Sequence, residues 1–176
     1  MKTAARVQLV ICGLGGQGAV FLSRVLAGAA IEEGNDVLTS ETHGMAQRGG
    51  AVESHLKFGD FSGSVVRPGH ADVALVLDES RLAAARRFLR AGGACFVNAQ
   101  QEDVGDALKC DAFGIAKEIG NPRATNLVLL GFAAAARPDL VPAREACLAA
   151  LERLSPPTVH DPNAAAFERG CALAQA

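Results

Sequence analysis

The sequence predicts an α/β fold of three layers, α/β/α, in which helices cover both faces of a mostly parallel sheet. Residues 7–11 and 71–77 are apolar except for Gln8 and Asp72, the pattern of strands that are buried on both faces. Helical patterns follow both runs, which is typical of parallel βαβ units. Residues 51–58 instead alternate apolar and polar side chains, which predicts an inserted antiparallel hairpin.

The first half of the chain is predicted as follows. Residues 19–33 form an apolar-faced helix that ends at Gly34, and residues 36–40 form the second strand. The hairpin consists of 51–58 and 61–67, with a turn at Gly59-Asp60 between them. The predicted fold of a mostly parallel sheet between two helical layers is Rossmann-like.

The second half is predicted to be mainly helical. Asp78 caps a helix that runs through Arg90 and ends before Gly92-Gly93. A strand at 94–98 and a short edge strand at 107–111 complete the sheet. Further helices are predicted at about 112–119, 123–136, 142–153 and 162–173.

Length and composition limit the possible functions. The 176 residues are expected to form a single domain, 1–176. The chain has 17 Lys and Arg against 19 Asp and Glu, without a basic stripe interleaved with aromatic residues, so no nucleic-acid partner is expected. No apolar run reaches the roughly 20 residues of a membrane helix. The first residues lead into a strand and not into a signal region, so a cytoplasmic protein is expected.

The five cysteines are expected to be buried, structural thiols. Their number is odd, and no C-x-x-C pair occurs. This pattern argues against a disulfide framework and against an iron–sulfur or zinc site in this chain. His43, His55 and His70 also lack the spacing of metal ligands, so no metal site is predicted.

The first candidate functional segment is a glycine-rich loop between the first strand and the first helix. Its residues with a predicted binding role are Gly13, Gly15, Gly16, Gln17 and Gly18. Helix N-termini present free N–H groups and the positive end of the dipole, so such a loop can bind a phosphate or carboxylate. The G-x-G-x-x-G match alone is weak, and a purely structural turn remains open.

The second candidate segment follows the second strand. Its residues with a predicted binding role are Glu41, His43, Gly44, Gln47, Arg48, Gly49 and Gly50. Arg48 can hold a phosphate with two parallel hydrogen bonds, and the glycines allow close approach of a ligand or another subunit. Alternatively, the His and Arg side chains satisfy only local carbonyl groups. Both segments and Asp78 are expected at the same edge of the sheet, where the strands end.

The two segments together resemble a known family. Gly-Leu-Gly-Gly-Gln-Gly (13–18) followed by Glu-Thr-His-Gly-Met-Ala-Gln-Arg-Gly-Gly (41–50) is similar to the gamma-type subunits of 2-oxoacid:ferredoxin oxidoreductases. The most similar variant is the beta subunit of indolepyruvate ferredoxin oxidoreductases. Residues 126–131 resemble the family's Asn-anchored helix, and 163–170 resemble its C-terminal helix.

The resemblance implies a subunit of a larger enzyme. Such enzymes decarboxylate a 2-oxoacid oxidatively with thiamine diphosphate, coenzyme A and iron–sulfur clusters, and pass electrons to ferredoxin. Thiamine diphosphate and the clusters would lie on partner chains, whereas coenzyme A is linked to the 13–18 loop and the 43–50 segment. By resemblance alone, indolepyruvate or another aryl pyruvate is the favoured substrate. A homo-oligomer is also possible.

Two other functions are compatible with the residues. Glu41 lies 23 positions beyond Gly18, near where a ribose-binding acid falls in dinucleotide-binding folds, so a freestanding NAD(P)- or flavin-dependent oxidoreductase remains open. A non-catalytic assembly module, whose glycines serve only subunit packing, is the other alternative. No nucleophile–base pair stands out, so we expect no complete active site in this chain.

Overall fold

The computed structural model describes residues 6–43, 49–101 and 103–174. Within them, six strands form one sheet in the order β2-β3-β1-β4-β5-β6. The strands are β1 (Val7–Leu14), β2 (Val37–His43), β3 (Ala51–Phe58), β4 (Ala71–Val76), β5 (Leu89–Asn98) and β6 (Leu108–Cys110).

The sheet is parallel except for one strand. β1, β4, β5 and β6 run in the same direction, and β3 is antiparallel to both of its neighbours, β1 and β2. The predicted α/β class, with a mostly parallel sheet and an antiparallel insertion, is therefore confirmed.

Helices cover both faces, but unequally. The described helices are α1 (Ala19–Glu32), α2 (Leu82–Arg86), α3 (Ala112–Glu118), α4 (Thr125–Ala136), α5 (Arg144–Leu154) and α6 (His160–Leu173). α1 and α3–α6 build a thick layer on one face, whereas α2 packs on the opposite face together with residues from connecting loops.

β1 shows how the sequence supplies both cores. Successive side chains of a strand point to opposite faces of a sheet. Leu9 and Ile11 therefore pack into the large core under α1 and α4, and Val10 and Cys12 pack into the smaller core under α2. All four are fully buried, which explains the continuous apolar run of this strand.

The partner of β3 differs from the prediction. Residues 61–67 do not form a strand; β3 pairs instead with β2, from Val37 opposite Phe58 to His43 opposite Val52. Both edges of β3 are occupied by β1 and β2, so no edge is left for 61–67. That segment crosses the thinly covered face, where Val66 is fully buried in the smaller core.

The predicted helix from Asp78 to Arg90 was wrong in length. A 3-10 turn at Glu79–Arg81 leads into α2, which ends at Arg86. Strand β5 already begins at Leu89, which pairs with Ala71 of β4. Gly92 has φ +74° and lies where the β4–β5 register shifts, so the two glycines mark an irregularity in a strand and not a helix end. No helix in the described residues is long and apolar enough to cross a membrane.

Candidate functional site

The glycine loop joins β1 to α1 at the carboxyl edge of the sheet. The Gln17 N–H donates to the Leu14 carbonyl oxygen at 3.2 Å, which closes a tight turn. Gly16 and Gly18 have φ values of +94° and +79°, a region that side chains make unfavourable. Gly18 directly precedes α1, and none of the described side chains caps the helix N-terminus. The predicted strand–loop–helix junction is thus present.

The Gln17 side chain fills the inside of this turn. Its Oε1 accepts a hydrogen bond from the Leu14 N–H at 2.7 Å, and its Nε2 donates to Asp78 Oδ2 at 3.0 Å. Asp78 follows β4, so this amide links the ends of two neighbouring strands. Hydrogen bonds to Asp78, chiefly from the Ser80 hydroxyl, lower the pKa of its carboxyl group. Asp78 is therefore a charged acceptor that holds the loop, as well as the predicted cap.

The two glycine segments meet, as the sequence predicted. The Gly15 N–H donates to the Gly50 carbonyl oxygen at 2.9 Å. A Cβ atom on Gly15 would lie 3.5 Å from the Gly49 nitrogen, so the backbones approach closely. Gly49 itself has φ +69°. The glycines at positions 15, 49 and 50 thus place both segments side by side at the carboxyl edge of β1.

The remaining residues of the second segment divide into two groups. Glu41 lies on β2, where its Oε1 accepts a hydrogen bond from the Ser23 hydroxyl of α1 at 3.3 Å. The backbone of His43 ends β2, but its side chain lies outside the described residues, as do Gly44, Gln47 and Arg48. The binding roles predicted for these four residues stay predictions.

The position of Glu41 weakens the dinucleotide alternative. In dinucleotide-binding folds the acidic residue ends the strand next to the one that carries the glycine loop. Here β3 lies between β2 and β1, which puts the end of β2 about 10 Å from β1. Glu41 also faces α1, through Ser23.

Asn126 at the start of α4 also belongs to the site, although the sequence prediction did not include it among the site residues. It is 4% exposed, and its Nδ2 donates to the Gly18 carbonyl oxygen at 3.2 Å. Its Oδ1 accepts from the Leu127 N–H at 3.0 Å. The resemblance of residues 126–131 to an Asn-anchored helix was the available signal.

A cleft of about 590 Å³ opens beside the loop. Its lining is rich in amides and carboxylates and comprises Gly16, Gln17, Leu77, Asp78, Glu79, Asn98, Ala99, Gln100, Asp111, Phe113, Pro122, Arg123, Thr125 and Asn126. Three of these are carboxylates, and Arg123 is the one cation among these lining residues. The amides of Asn98 and Gln100 donate to Leu77 O and Asp111 Oδ2. The charged groups that line the cleft are thus, on balance, negative, and apolar residues such as Leu77 and Phe113 lie among them.

The cysteines are structural in their surroundings. All five are buried, and they lie on β1, β5, β6, α5 and α6. Burial raises the pKa of the Cys12 and Cys147 thiols to about 12. An iron–sulfur cluster binds several thiolates together, and the described residues hold no group of three or more His, Cys, Asp or Glu that could bind a metal ion.

Comparisons with known proteins agree with this architecture. The chain is 33% identical to the indolepyruvate oxidoreductase subunit IorB of Thermococcus kodakarensis, with 95% of each chain covered. It superposes on the pyruvate oxidoreductase subunit PORC of Thermotoga maritima with a TM-score of 0.77 at 28% identity, covering 94% of each chain.

The same fold occurs inside a larger chain. The 2-oxoglutarate:ferredoxin oxidoreductase of Magnetococcus marinus, solved with 2-oxoglutarate, coenzyme A and succinyl-CoA, matches with a TM-score of 0.78 at 19% identity. The match covers 97% of this chain and 31% of that one. Residues 8–173 also match the family described as pyruvate ferredoxin/flavodoxin oxidoreductase. The chain therefore belongs to this family, as a subunit of the 2-oxoacid:ferredoxin oxidoreductase type.

Proposed function

We propose that this chain is the gamma-type subunit of an indolepyruvate, or other aryl pyruvate, ferredoxin oxidoreductase. In that complex it would form part of the coenzyme A-binding region. The observation that carries the proposal is the contact between the two glycine segments, with Gly15 bonded to Gly50 beside the start of α1. The identity to the indolepyruvate oxidoreductase subunit along nearly the whole chain supports the substrate class.

Partner chains would supply the redox and decarboxylation chemistry. Thiamine diphosphate and iron–sulfur clusters would reside there, since the buried cysteines of this chain are unsuited to hold a cluster. The role of this chain is then to bind and orient coenzyme A and to help enclose the active site. Ferredoxin would receive electrons from the partner chains.

The charges of the site suggest how coenzyme A would be oriented. Three carboxylates line the cleft, so a polyphosphate would be repelled there. We expect the phosphates near the contact of Gly15 with Gly49-Gly50, which follow Arg48 in the sequence. The uncharged pantetheine arm, a chain of amides and methylenes, fits the cleft with its amides and the half-exposed ring of Phe113.

The test uses the complex assembled with its partner subunits. Ferredoxin reduction with indolepyruvate, phenylpyruvate and pyruvate should give the highest kcat/KM for an aryl pyruvate. Arg48→Ala should raise the dissociation constant of coenzyme A by about 10- to 100-fold, because a charge-assisted hydrogen bond contributes roughly 1.5–3 kcal/mol. Arg48→Lys should be intermediate, since it keeps the charge without the two-pronged geometry.

The outcomes separate ligand binding from assembly. Arg24→Ala, a change to an exposed arginine on α1, serves as the control and should leave the coenzyme A constant unchanged. If Arg48→Ala prevents the subunits from co-purifying without changing coenzyme A affinity, the segment serves assembly alone. A preference for pyruvate would refute the substrate class.

A further inference from the structure

A second polar region lies at the opposite edge of the sheet. On β3, Glu53, His55 and Lys57 face the thinly covered side, and Lys57 is the one of them nearest to this opposite edge. Lys57 pairs with Gln8, near the start of β1. It therefore lies about 17 Å along the sheet from Gly13, where the glycine loop begins.

Lys57 is buried, although it carries a charge. The residue is only 8% exposed, whereas lysines are rarely buried unless paired. Its Nζ lies 5.1 Å from the centroid of the Phe61 ring. The guanidinium carbon of Arg6 lies 4.2 Å from the same centroid, so one aromatic ring brings two cations together.

Arg67 is a third cation of this cluster. Burial lowers the pKa of Lys57, and the charges of Arg67 and Arg6 lower it further. The turn that carries Arg67 is fixed, because Val66 is fully buried and the His70 N–H donates to the Arg67 carbonyl oxygen at 3.2 Å. Lys57 of β3 and Arg6, which precedes β1, thus meet at one ring, and the charge of Arg67 on this ordered turn acts on Lys57.

This cluster lacks a negative partner within residues 6–43, 49–101 and 103–174. Lys57, Arg6 and Arg67 take part in no ion pair there, while Glu53, opposite Cys12 at the other end of β3, is paired with Arg81 at 3.2 Å. Asp72, whose Oδ2 accepts from the N–H of Gln8 beside Lys57, is paired with Arg90, and Asp106 is paired with Arg86. Three like charges in one cluster, one of them on a buried lysine, are unfavourable unless an anion neutralises them.

We propose that Arg6, Lys57 and Arg67 form a binding site for the phosphate group of a small molecule, with Phe61 as its aromatic wall. Lysine provides a point charge, and the two arginines can each bind phosphate oxygens with two hydrogen bonds. Two cations at one ring, with a third whose charge acts on Lys57, fit a compact anion better than a broad acidic surface. The site is independent of the proposed coenzyme A region, which lies at the other edge.

The experiment titrates the purified full chain with inorganic pyrophosphate by calorimetry and by amide NMR. We expect binding with shifts confined to residues around 6–8 and 57–67. Lys57→Met, which keeps the apolar stem, should weaken binding by about 10- to 100-fold, and the exposed Arg67→Gln should weaken it comparably. Thermal unfolding of each variant checks that the chain remains folded.

A matched control is available in Lys117. Its Nζ also lies over a phenylalanine ring, 5.6 Å from the centroid of Phe113, but the residue is exposed and outside the cluster. Lys117→Met should leave binding unchanged. Titration with ADP and with inorganic phosphate distinguishes a nucleotide from free phosphate as the source of the phosphate group.

Three results would overturn the proposal. The first is the absence of pyrophosphate binding to the folded chain. The second is equal weakening by Lys57→Met and Lys117→Met, which would indicate only general electrostatic attraction. The third is normal pyrophosphate affinity in Arg67→Gln together with loss of co-purification with partner subunits, which would assign the cluster to a protein interface.

Discussion

Gly18 and Asn126, 108 positions apart in the sequence, are in direct contact through the Asn126 amide and the Gly18 backbone. The Asn126 Nδ2 donates to the Gly18 carbonyl oxygen at 3.2 Å, and a Cβ atom on Gly18 would lie 2.5 Å from that nitrogen. Gly18 also has φ +79°. The last glycine of the loop therefore serves both the turn and the docking of α4 against the start of α1.

This contact predicts a measurable coupling. Gly18→Ala should destabilise the chain through backbone strain, roughly 1–2 kcal/mol, and through the overlap with Asn126. Asn126→Ala removes the overlapping amide, so Gly18→Ala should cost less in that background. Urea unfolding of the two single variants and the double variant gives the coupling energy.

Gly34 provides the control for the contribution of backbone strain to the loss of stability. It follows α1 with φ +82°, and no described atom lies within 4 Å of a Cβ built there. Gly34→Ala should thus report strain alone and should cost less than Gly18→Ala. Equal costs for the two changes, with no coupling to Asn126, would contradict the packing role of Gly18.

A second prediction concerns the crossing of α4 and α6. A Cβ atom on Gly131 would overlap the Phe167 carbonyl oxygen, and one on Gly170 would overlap the Val128 carbonyl oxygen. Gly131→Ala and Gly170→Ala should each destabilise the fold by about 1–3 kcal/mol or more, because the helices must move apart. Gly63→Ala, where the added atom meets nothing within 4 Å, should be nearly neutral in the same unfolding assay.

A third prediction separates folding from assembly at Gly16. The φ of Gly16 is +94°, and no described atom would lie within 4 Å of a Cβ atom added to this residue. Gly16→Val should therefore cost the isolated chain about 1–3 kcal/mol of strain, which leaves it folded. The complex should lose activity, because the added side chain projects into the region where a ligand or partner approaches.

The measurement for Gly16 pairs thermal unfolding of the chain with ferredoxin reduction by the assembled complex. Gly16→Ala should cause a smaller loss of activity than Gly16→Val, since it adds less bulk at the same φ. An assembled, fully active Gly16→Val complex would show that nothing approaches this glycine.

A fourth prediction concerns pH. His55 is 3% exposed, its Nδ1 has no hydrogen-bond partner among the described residues, and its ring packs edge-on against Phe88. Burial lowers the pKa of His55; the Glu53 charge opposes this shift, and the Lys57 charge adds to it. The folded chain thus binds the proton less readily than the unfolded chain, whose imidazole titrates near about pH 6.5.

The sign of the effect follows from this difference. The contribution of neutral His55 to stability is present above about pH 6.5 and is lost as the pH falls towards its lower folded-state value. Urea unfolding at pH 7.5, 6.5 and 5.5 should show falling stability in the native chain. The fall should be smaller in His55→Leu, and identical pH profiles would refute the assignment.

The sequence predicted the elements with strong local signals. The apolar runs of β1 and β4 and the long helix α1 were found at nearly their observed bounds, because buried strands and apolar-faced helices have distinct periodicities. The meeting of Gly15 and Gly50 was also predictable, since the carboxyl ends of strands share one edge. The family resemblance named the enzyme type.

Other features depended on competition between distant segments. Residues 61–66 have a strand-like pattern, yet β1 and β2 occupy both edges of β3, and no local signal reveals which segment takes an edge. Gly92-Gly93 was interpreted as a helix end, because glycine occurs both at helix ends and at strand irregularities. The pairing of Leu89 with Ala71 shows that these glycines belong to β5.

The sequence by itself thus determined the α/β class, the glycine junction and the family. Only the tertiary structure determined that Asn126 joins the loop, that Gln17 bridges to Asp78, and that Lys57 and Arg6 meet at the Phe61 ring. Periodicity and loop chemistry are set by neighbouring residues, whereas these contacts join residues far apart in the chain or depend on side-chain direction. Their partners are selected by packing, which a linear pattern does not encode.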